Sequence, residues 1–285
     1  MAEFQTVGVV GAGTMGSGIA HVFARAGFRV LLYDVEHRFL DRALSQFRTN
    51  LAREAAKGKL PEAEIDPILA RITPTIDREA ISSADFAIEA ASERFELKAE
   101  IFRALDRILP ASAILATNTS SISIARLAAE TSRPTQVVGM HFFNPVPVMT
   151  LVEVVRGPVT SDETCSTVHA LALKLGKTPV PVNDAPGFVS NRVLMPLINE
   201  AAFSVMEGVA TPEAVDQIFK LGMAHPMGPL TLADLIGLDV CVDIMRVLEE
   251  GFANPKYRPC PLLVQMVAAG HLGRKSGRGF YAYEK

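Results

Sequence analysis

Cysteine is scarce in this chain. Three residues, Cys165, Cys241 and Cys260, occur among 285. They are odd in number and far apart, which excludes a disulfide framework and gives no metal-site signature, and this usage suits a reducing compartment. An excess of positive charge is also missing. The formal net charge is −3, whereas nucleic-acid binders are usually basic, so no nucleic-acid partner is expected unless a local basic patch provides one. No apolar run approaches the roughly 20 residues of a membrane span. The first strand pattern starts within about five residues of Met1, which leaves no room for a signal or transit peptide. A cytoplasmic protein with no membrane partner is the expectation. Internal repeats and low-complexity tracts are absent as well.

What is present fits a globular protein. Hydrophobic residues make up 49% of the chain and charged residues 21%, the balance of a folded domain rather than a disordered chain. The length suffices for one large domain or two ordinary ones.

Thr6 to Val10 is a β-branched run that leads at once into glycines. A helical pattern through Ile19, Ala20, Val22 and Phe23 stops at Gly27, and Arg29 to Tyr33 reads as the next strand, ending at Asp34. Strand, glycine turn, helix and strand within about thirty residues make one βαβ unit. A charged helix follows from about Arg38 to Lys59, and then a turn into a short helix at Leu60-Pro61-Glu62. Further strand-like runs occur at Phe86–Ile88, Ala113–Ala116, Val137–Met140 and Val152–Val155. This alternation predicts an α/β fold with a Rossmann-type, doubly wound and largely parallel sheet. Beyond Asn183-Asp184-Ala185 the pattern becomes helical: Val189–Glu207, Pro212–Lys220 (with Thr211 as N-cap), Thr231–Phe252 and Pro261–Ala269. The expected organisation is a Rossmann-type domain over 1–184 and an all-helical domain over 185–285, with strand reappearing at most in the last few residues.

Gly11-Ala12-Gly13-Thr14-Met15-Gly16 fits G-x-G-x-x-G. Its context gives the pattern weight, because it follows a strand, opens a helix and precedes an acid, Asp34. Gly11 permits the tight turn, Gly13 lets the backbone approach a pyrophosphate, and Gly16 lets helix and sheet pack closely. The pyrophosphate would sit on free N–H groups at the positive end of the helix. Asp34 would accept hydrogen bonds from ribose hydroxyls and repel a 2′-phosphate, so NAD is expected as cofactor rather than NADP.

His141-Phe142-Phe143-Asn144-Pro145-Val146 carries the second motif, with Glu153 twelve residues after the histidine. At that separation the two can lie on adjacent strands, where a carboxylate orients an imidazole and stabilises its protonated form. An imidazole titrating near 6.5 can take or return the proton of a secondary alcohol near neutral pH. The other five histidines, His21, His37, His169, His225 and His271, lack such a setting and read as structural.

These motifs, with Asn118-Thr119-Ser120-Ser121, Leu151-Val152-Glu153, Pro186-Gly187-Phe188-Val189-Ser190-Asn191-Arg192 and Gly273-Arg274-Lys275-Ser276-Gly277-Arg278-Gly279-Phe280-Tyr281, make the chain resemble the 3-hydroxyacyl-CoA dehydrogenases over essentially its whole length, with the short bacterial 3-hydroxybutyryl-CoA type most similar. The resemblance implies reversible, NAD-dependent oxidation of an (S)-3-hydroxyacyl-CoA thioester to the 3-ketoacyl-CoA. His141 would be the base and Glu153 its partner. Ser120 would hydrogen-bond the substrate's 3-oxygen, and Asn191 would hold substrate near the reacting carbons. Thr14, Met15, Glu93, Lys98, Asn118 and Asn144 would join Gly11, Gly13, Gly16, Asp34 and Ser120 around the cofactor, and Asn50 and Lys57 would meet the CoA. No metal is implied. By pattern alone Asn118–Ser121 fits a polar turn with a helix cap, Glu93 and Lys98 fit an exposed helical pair, Asn191 fits an exposed polar position, and the segment from Arg48 to Lys59 fits a solvated helix face. Apolar positions such as Met195, Leu197, Ile198 and Val205 suggest self-association through the helical domain, and the resemblance implies a homodimer. No hydratase region accompanies the motifs, so the redox step alone is expected. Two other readings keep the scaffold: a non-catalytic NAD-binding redox sensor or structural protein, and a dehydrogenase of free hydroxy acids or sugar acids.

Overall fold

The computed structural model describes residues 4–284. The chain divides into two compact units after Ala185.

The first unit alternates strands and helices. In order these are β1 (Thr6–Val10), α1 (Thr14–Arg25), β2 (Arg29–Tyr33), α2 (His37–Ala56), α3 (Ile65–Leu69), β3 (Ile72–Thr75), β4 (Phe86–Glu89), α4 (Phe95–Ile108), β5 (Ile114–Thr117), α5 (Ile124–Ala128), β6 (Val137–Phe142), β7 (Leu151–Arg156), α6 (Asp162–Lys174) and β8 (Thr178–Asn183). They form one eight-stranded sheet in the order β3-β2-β1-β4-β5-β6-β7-β8. Neighbours pair in parallel except β6 and β7, which are antiparallel. All residues of β1, β4, β5 and β6 are buried, as expected for strands covered on both faces. The strand order reverses between β1 and β4, and in such sheets ligands bind in the crevice outside the carboxyl ends there. The core gathers residues such as Val9, Phe23, Leu32, Phe86, Ile88 and Val152.

Two strands, β3 and β8, have no counterpart in the sequence pattern. Both lie at the sheet's edges and both contain proline: Pro74 in one, Pro179 and Pro181 in the other. Proline lacks the N–H that a central ladder needs, but an edge strand can turn that side outward.

The second unit is helical: α7 (Ser190–Met206), α8 (Pro212–Gly222), α9 (Pro229–Ile236), α10 (Leu238–Phe252) and α11 (Pro261–Ala268). Its core includes Met195, Ile198, Cys241, Met245 and Leu248. Thr211 caps α8, its side chain accepting from the Ala214 N–H. The stretch expected as one helix from Thr231 to Phe252 is instead two, α9 and α10. Gly237 divides them with φ 108°, a conformation closed to most L-residues. Near the C-terminus the strand pattern reduces to two isolated bridges, Gly273 with Arg278 and Arg278 with Ala282. Two buried acids bind this unit together. Asp216 accepts from the N–H groups of Leu230 and Thr231 at 2.9 Å each and from the Tyr281 hydroxyl at 2.8 Å. Asp234 accepts from the N–H groups of Phe280 and Tyr281 at 3.0 Å each and from the Tyr283 hydroxyl at 2.9 Å.

No helix among the described residues is long and apolar enough to cross a membrane. Among the same residues no group of three or more His, Cys, Asp or Glu is placed to hold a metal ion.

Candidate active site

The glycine loop joins β1 to α1. The Gly11 N–H donates to the Tyr33 carbonyl at 2.8 Å and so ties the loop to the end of β2. Gly16 is a position of close approach, because a Cβ there would fall 1.8 Å from the Gly11 carbonyl oxygen. At Gly13, the residue before α1, no atom lies within 4 Å of where a Cβ would stand, and no side chain caps the helix. The first turn of α1 thus has no side-chain cap and begins where two grooves reach Gly13, which suits a pyrophosphate on its N–H groups. Asp34 follows β2 directly. Its carboxylate accepts from the Ala12 N–H at 2.7 Å and from the Glu36 N–H at 3.2 Å. Asp34 lines a groove of about 450 Å³ with Gly11, Gly13, Ala90 and Ser92. An acid at this mouth, beside a glycine loop with room at its helix end, suits NAD.

A second groove, of about 430 Å³, opens on the other side of the same loop. It is lined by Gly13, Thr14, Arg42, Gln46, Asn50 and Asn144 among others. Thr14 is exposed at the start of α1, whereas Met15 packs against the core. Lys57 lies just past α2, exposed, and is not among the groove's lining residues. Arg42, in the first half of α2 and ahead of the charged segment from Arg48 to Lys59, is the cation that lines this groove. Arg48 instead pairs with Asp66 at 3.1 Å.

His141 stands near the carboxyl end of β6, opposite Glu153 in the antiparallel register with β7. Nδ1 and Oε2 are 2.8 Å apart, and the residues are 7% and 3% exposed. A carboxylate only accepts, so Nδ1 carries the proton in this bond. Two strands next to one another thus fix both the tautomer and the plane of the ring.

The turn after β5 brings Asn118, Thr119, Ser120 and Ser121 beside Glu93, which precedes α4. Asn118 Oδ1 accepts from the Phe142 N–H at 2.9 Å, which ties the turn to the residue after His141. Glu93 Oε1 accepts from the Ser120 N–H at 2.9 Å, the Ser121 N–H at 3.0 Å and the Ser121 hydroxyl at 2.9 Å. The Ser120 hydroxyl approaches the same oxygen at 3.3 Å, and the Thr119 hydroxyl donates to it at 2.5 Å. Burial pushes the Glu93 carboxyl upward, but the Lys98 charge and these donors outweigh it and hold the group below the ordinary glutamate range. Ser123 caps α5 and donates to Asp184 at 2.8 Å.

Lys98 is not an exposed helical residue. It is 1% exposed, and its ammonium donates to both carboxylate oxygens of Glu89, at 2.7 and 2.9 Å, and lies 3.3 Å from Glu93. Glu89 carries no motif in the sequence. The available signal was a carboxylate that ends an otherwise apolar strand, in register with Val10 just before the glycine loop.

In the helical unit Asn191 occupies the first turn of α7, half-buried, its N–H donating to the Gly187 carbonyl at 3.1 Å.

The chain resembles known proteins along its whole length. Residues 6–185 match the family model of the 3-hydroxyacyl-CoA dehydrogenase NAD binding domain, and residues 187–283 match the C-terminal domain of the same family. A probable 3-hydroxybutyryl-CoA dehydrogenase of Bacillus subtilis is 56% identical, with 99% of each chain covered. The 3-hydroxybutyryl-CoA dehydrogenase of Bradyrhizobium diazoefficiens is 50% identical over 99% of this chain and 96% of its own. The crystal structure of (S)-3-hydroxybutyryl-CoA dehydrogenase from Ralstonia eutropha superposes with a TM-score of 0.96 at 50% identity, covering 99% of this chain and all of the other. With its glycine loop, its acid at the end of β2 and its histidine–glutamate pair, the chain belongs to the 3-hydroxyacyl-CoA dehydrogenase family and is an NAD-dependent oxidoreductase.

Proposed function

We propose that this protein interconverts short-chain (S)-3-hydroxyacyl-CoA and 3-ketoacyl-CoA thioesters, 3-hydroxybutyryl-CoA first among them, and that His141 moves the proton. The observation that carries this reading is the 2.8 Å contact between His141 Nδ1 and Glu153. With Nδ1 committed to the carboxylate, proton exchange with the 3-hydroxyl falls to Nε2. Bound NAD supplies the hydride acceptor. As the alcohol proton leaves, Glu153 stabilises the imidazolium that forms, and in the reductive direction the protonated His141 returns the proton. Ser120 and Asn191 hold the 3-oxygen and its neighbouring carbons. Asp34 binds the adenosine ribose. The glycine loop receives the pyrophosphate: Gly13 leaves room for it, the main-chain N–H groups of Thr14 and Met15 face it at the start of α1, and Gly11 and Gly16 shape the turn and its packing on the sheet. Glu93, Lys98, Asn118 and Asn144 frame the nicotinamide side. Asn50, lining the groove with Arg42, meets the CoA, and Lys57 lies at the far end of the same helix for a phosphate. The sheet domain, 1–184, serves the cofactor, and the helical domain, 185–285, serves substrate and association.

The protein acts in this reading as a cytoplasmic homodimer in fatty-acid or butanoate metabolism. Met195 and Ile198, two of the apolar positions that suggested self-association, are only 1% exposed and belong to the helical unit's own core. Support for association comes instead from Ile218, Leu221 and Met223 on and just after α8, which are 56%, 82% and 56% exposed. Sedimentation of the native protein and a Leu221→Glu variant tests this: a dimer that the variant converts to monomer supports the face on α8, and a native monomer overturns it.

Steady-state kinetics across a ladder of 3-ketoacyl-CoA lengths, with NADH and with NADPH, tests the activity. The expected result is the largest kcat/KM with acetoacetyl-CoA and NADH. Free 3-hydroxybutyrate oxidised as well as its thioester would instead favour a free hydroxy acid as substrate, and no turnover with any thioester would favour a non-catalytic NAD-binding role.

A further inference from the structure

Glu89 is completely buried, and its carboxylate has donors on both oxygens. Oε1 accepts from the Ala91 N–H at 2.6 Å and from Lys98 at 2.7 Å, and Oε2 accepts from Lys98 at 2.9 Å and from the Thr117 hydroxyl at 2.7 Å. Two paths run from it to the turn that carries Ser120. Lys98, held by Glu89, lies 3.3 Å from Glu93, and Glu93 collects the donors of Thr119, Ser120 and Ser121. Thr117, held by Glu89, accepts from the Thr119 N–H at 3.1 Å. The Glu89 main-chain carbonyl also accepts from the Asn118 N–H at 2.8 Å. One carboxylate at the end of β4 therefore anchors the buried cation and both ends of the turn after β5.

We propose that Glu89 is a positioning residue for the dehydrogenase reaction, acting through Lys98 and Glu93 to set the place of Ser120. A buried ammonium without a compensating anion is unfavourable. If Glu89 were absent, Lys98 would be drawn fully onto Glu93, and Glu93 would no longer hold the turn in its present place. Glutamine cannot substitute. All four contacts are accepted by the carboxylate, so an amide NH2 in place of either oxygen sets donor against donor. The inference rests on the reading of Ser120 and Glu93 given above.

The test compares Glu89→Gln, Lys98→Met and the double variant, measuring NADH affinity by fluorescence titration and kcat per bound NADH. Neither quantity falls merely because a smaller fraction of the protein is folded. Glu89→Gln is expected to weaken NADH binding several-fold and to lower kcat by up to about a hundredfold, the scale of a reacting group misplaced by an ångström, with the KM for acetoacetyl-CoA almost unchanged. If Glu89 acts through Lys98, the loss in the double variant falls well short of the product of the two single losses, because interacting sites do not add, and the Thr117 contact, which Lys98→Met leaves in place, accounts for any excess over Lys98→Met. The double variant also removes both charges and keeps the comparison possible where Glu89→Gln folds poorly. Native kcat and NADH affinity in Glu89→Gln, or a double variant whose loss equals the product of the two single losses, overturns the proposal. Ser120→Ala separates the two readings: native turnover in that variant sinks the assignment of Ser120 itself, whereas a damaged Ser120→Ala beside a native-like Glu89→Gln removes only the role of Glu89.

Discussion

The sheet unit and the helical unit both bury carboxylates, but they give them different partners. In the sheet unit Glu153 faces an imidazole and Glu89 faces an ammonium. In the helical unit Asp216 and Asp234 face main-chain N–H groups and hydroxyls. A carboxylate bonded to backbone amides and to phenols that stay protonated at neutral pH fixes the course of the chain and takes no part in proton exchange there. One bonded to a titratable side chain sets the charge, tautomer or place of that side chain, which is what acid–base chemistry uses. The partner of a buried acid, more than its burial, separates the two kinds of region.

The largest effect should come from breaking the pair in the sheet unit. His141→Gln should lower kcat by about 10²- to 10⁴-fold, the usual contribution of a positioned acid–base group, while NAD binding and thermal unfolding stay near native. Glu153→Gln should act in the same direction and less severely. Stopped-flow NADH kinetics and calorimetry measure the two sides. Near-native turnover in His141→Gln would remove the pair from the chemistry and collapse the distinction drawn between the units.

Asp234→Ala should behave in the opposite way. It strands two N–H groups and a hydroxyl that now donate to one buried carboxylate, and buried unsatisfied groups cost about 1–3 kcal/mol each. A stability loss of about 3 kcal/mol is expected in urea unfolding, with NADH affinity per folded molecule retained. A variant as stable as the native protein but unable to bind cofactor would contradict the structural role given to this acid.

These two classes of acid differ in how far the sequence reveals them. The fold of the sheet unit was legible where a strand's own residues determine it: Thr6–Val10 and Arg29–Tyr33 follow from β-branched runs, and the pairing of His141 with Glu153 follows from a separation that suits adjacent strands. It was hidden where a strand depends on its place in the sheet. β3 and β8 contain prolines that only an edge tolerates, and nothing local marks an edge. The break at Gly237 was hidden because an apolar period continues across it, whereas the backbone does not. Lys98 looked exposed because helical spacing says nothing about a carboxylate nine residues earlier on the end of a strand. Asp216 and Asp234 carry no motif, since their partners are main-chain groups that every residue possesses.

Asp34 is the intermediate case and sharpens the comparison. It accepts from backbone amides like the acids of the helical unit, at 2.7 Å from Ala12, yet it is half-buried at the mouth of a groove. Asp34→Ala should raise the KM for NAD about tenfold, the worth of one hydrogen bond to a charged group, with kcat and stability changing little. A variant that uses NADPH better than the native protein would sharpen the assignment further. A stability loss without a change in KM would place Asp34 with the structural acids.

The smallest effect concerns Tyr283, whose hydroxyl donates to Asp234 at 2.9 Å. Burial raises the phenol's pKa first, and the hydrogen bond and charge of Asp234 raise it further, to about 12. An unfolded tyrosine titrates near 10, so the folded state holds this proton more tightly than the unfolded chain does. The contribution to stability is then fully present below about pH 10 and is lost as pH rises from there through about 12. Tyr283→Phe removes the bond and its pH dependence together. At pH 8 the native protein should exceed the variant by about 1 kcal/mol, the net worth of one hydrogen bond, and by pH 11 the gap should have narrowed. Urea midpoints followed by circular dichroism for both proteins at the two pH values isolate this group from the lysines and cysteines that titrate alongside it, because those are common to both. A gap that stayed constant with pH would mean that the phenol does not donate to Asp234 in solution. The acid of the helical unit would then be held by backbone amides alone, and the contrast with Glu153, whose partner is a titrating side chain, would be sharper still.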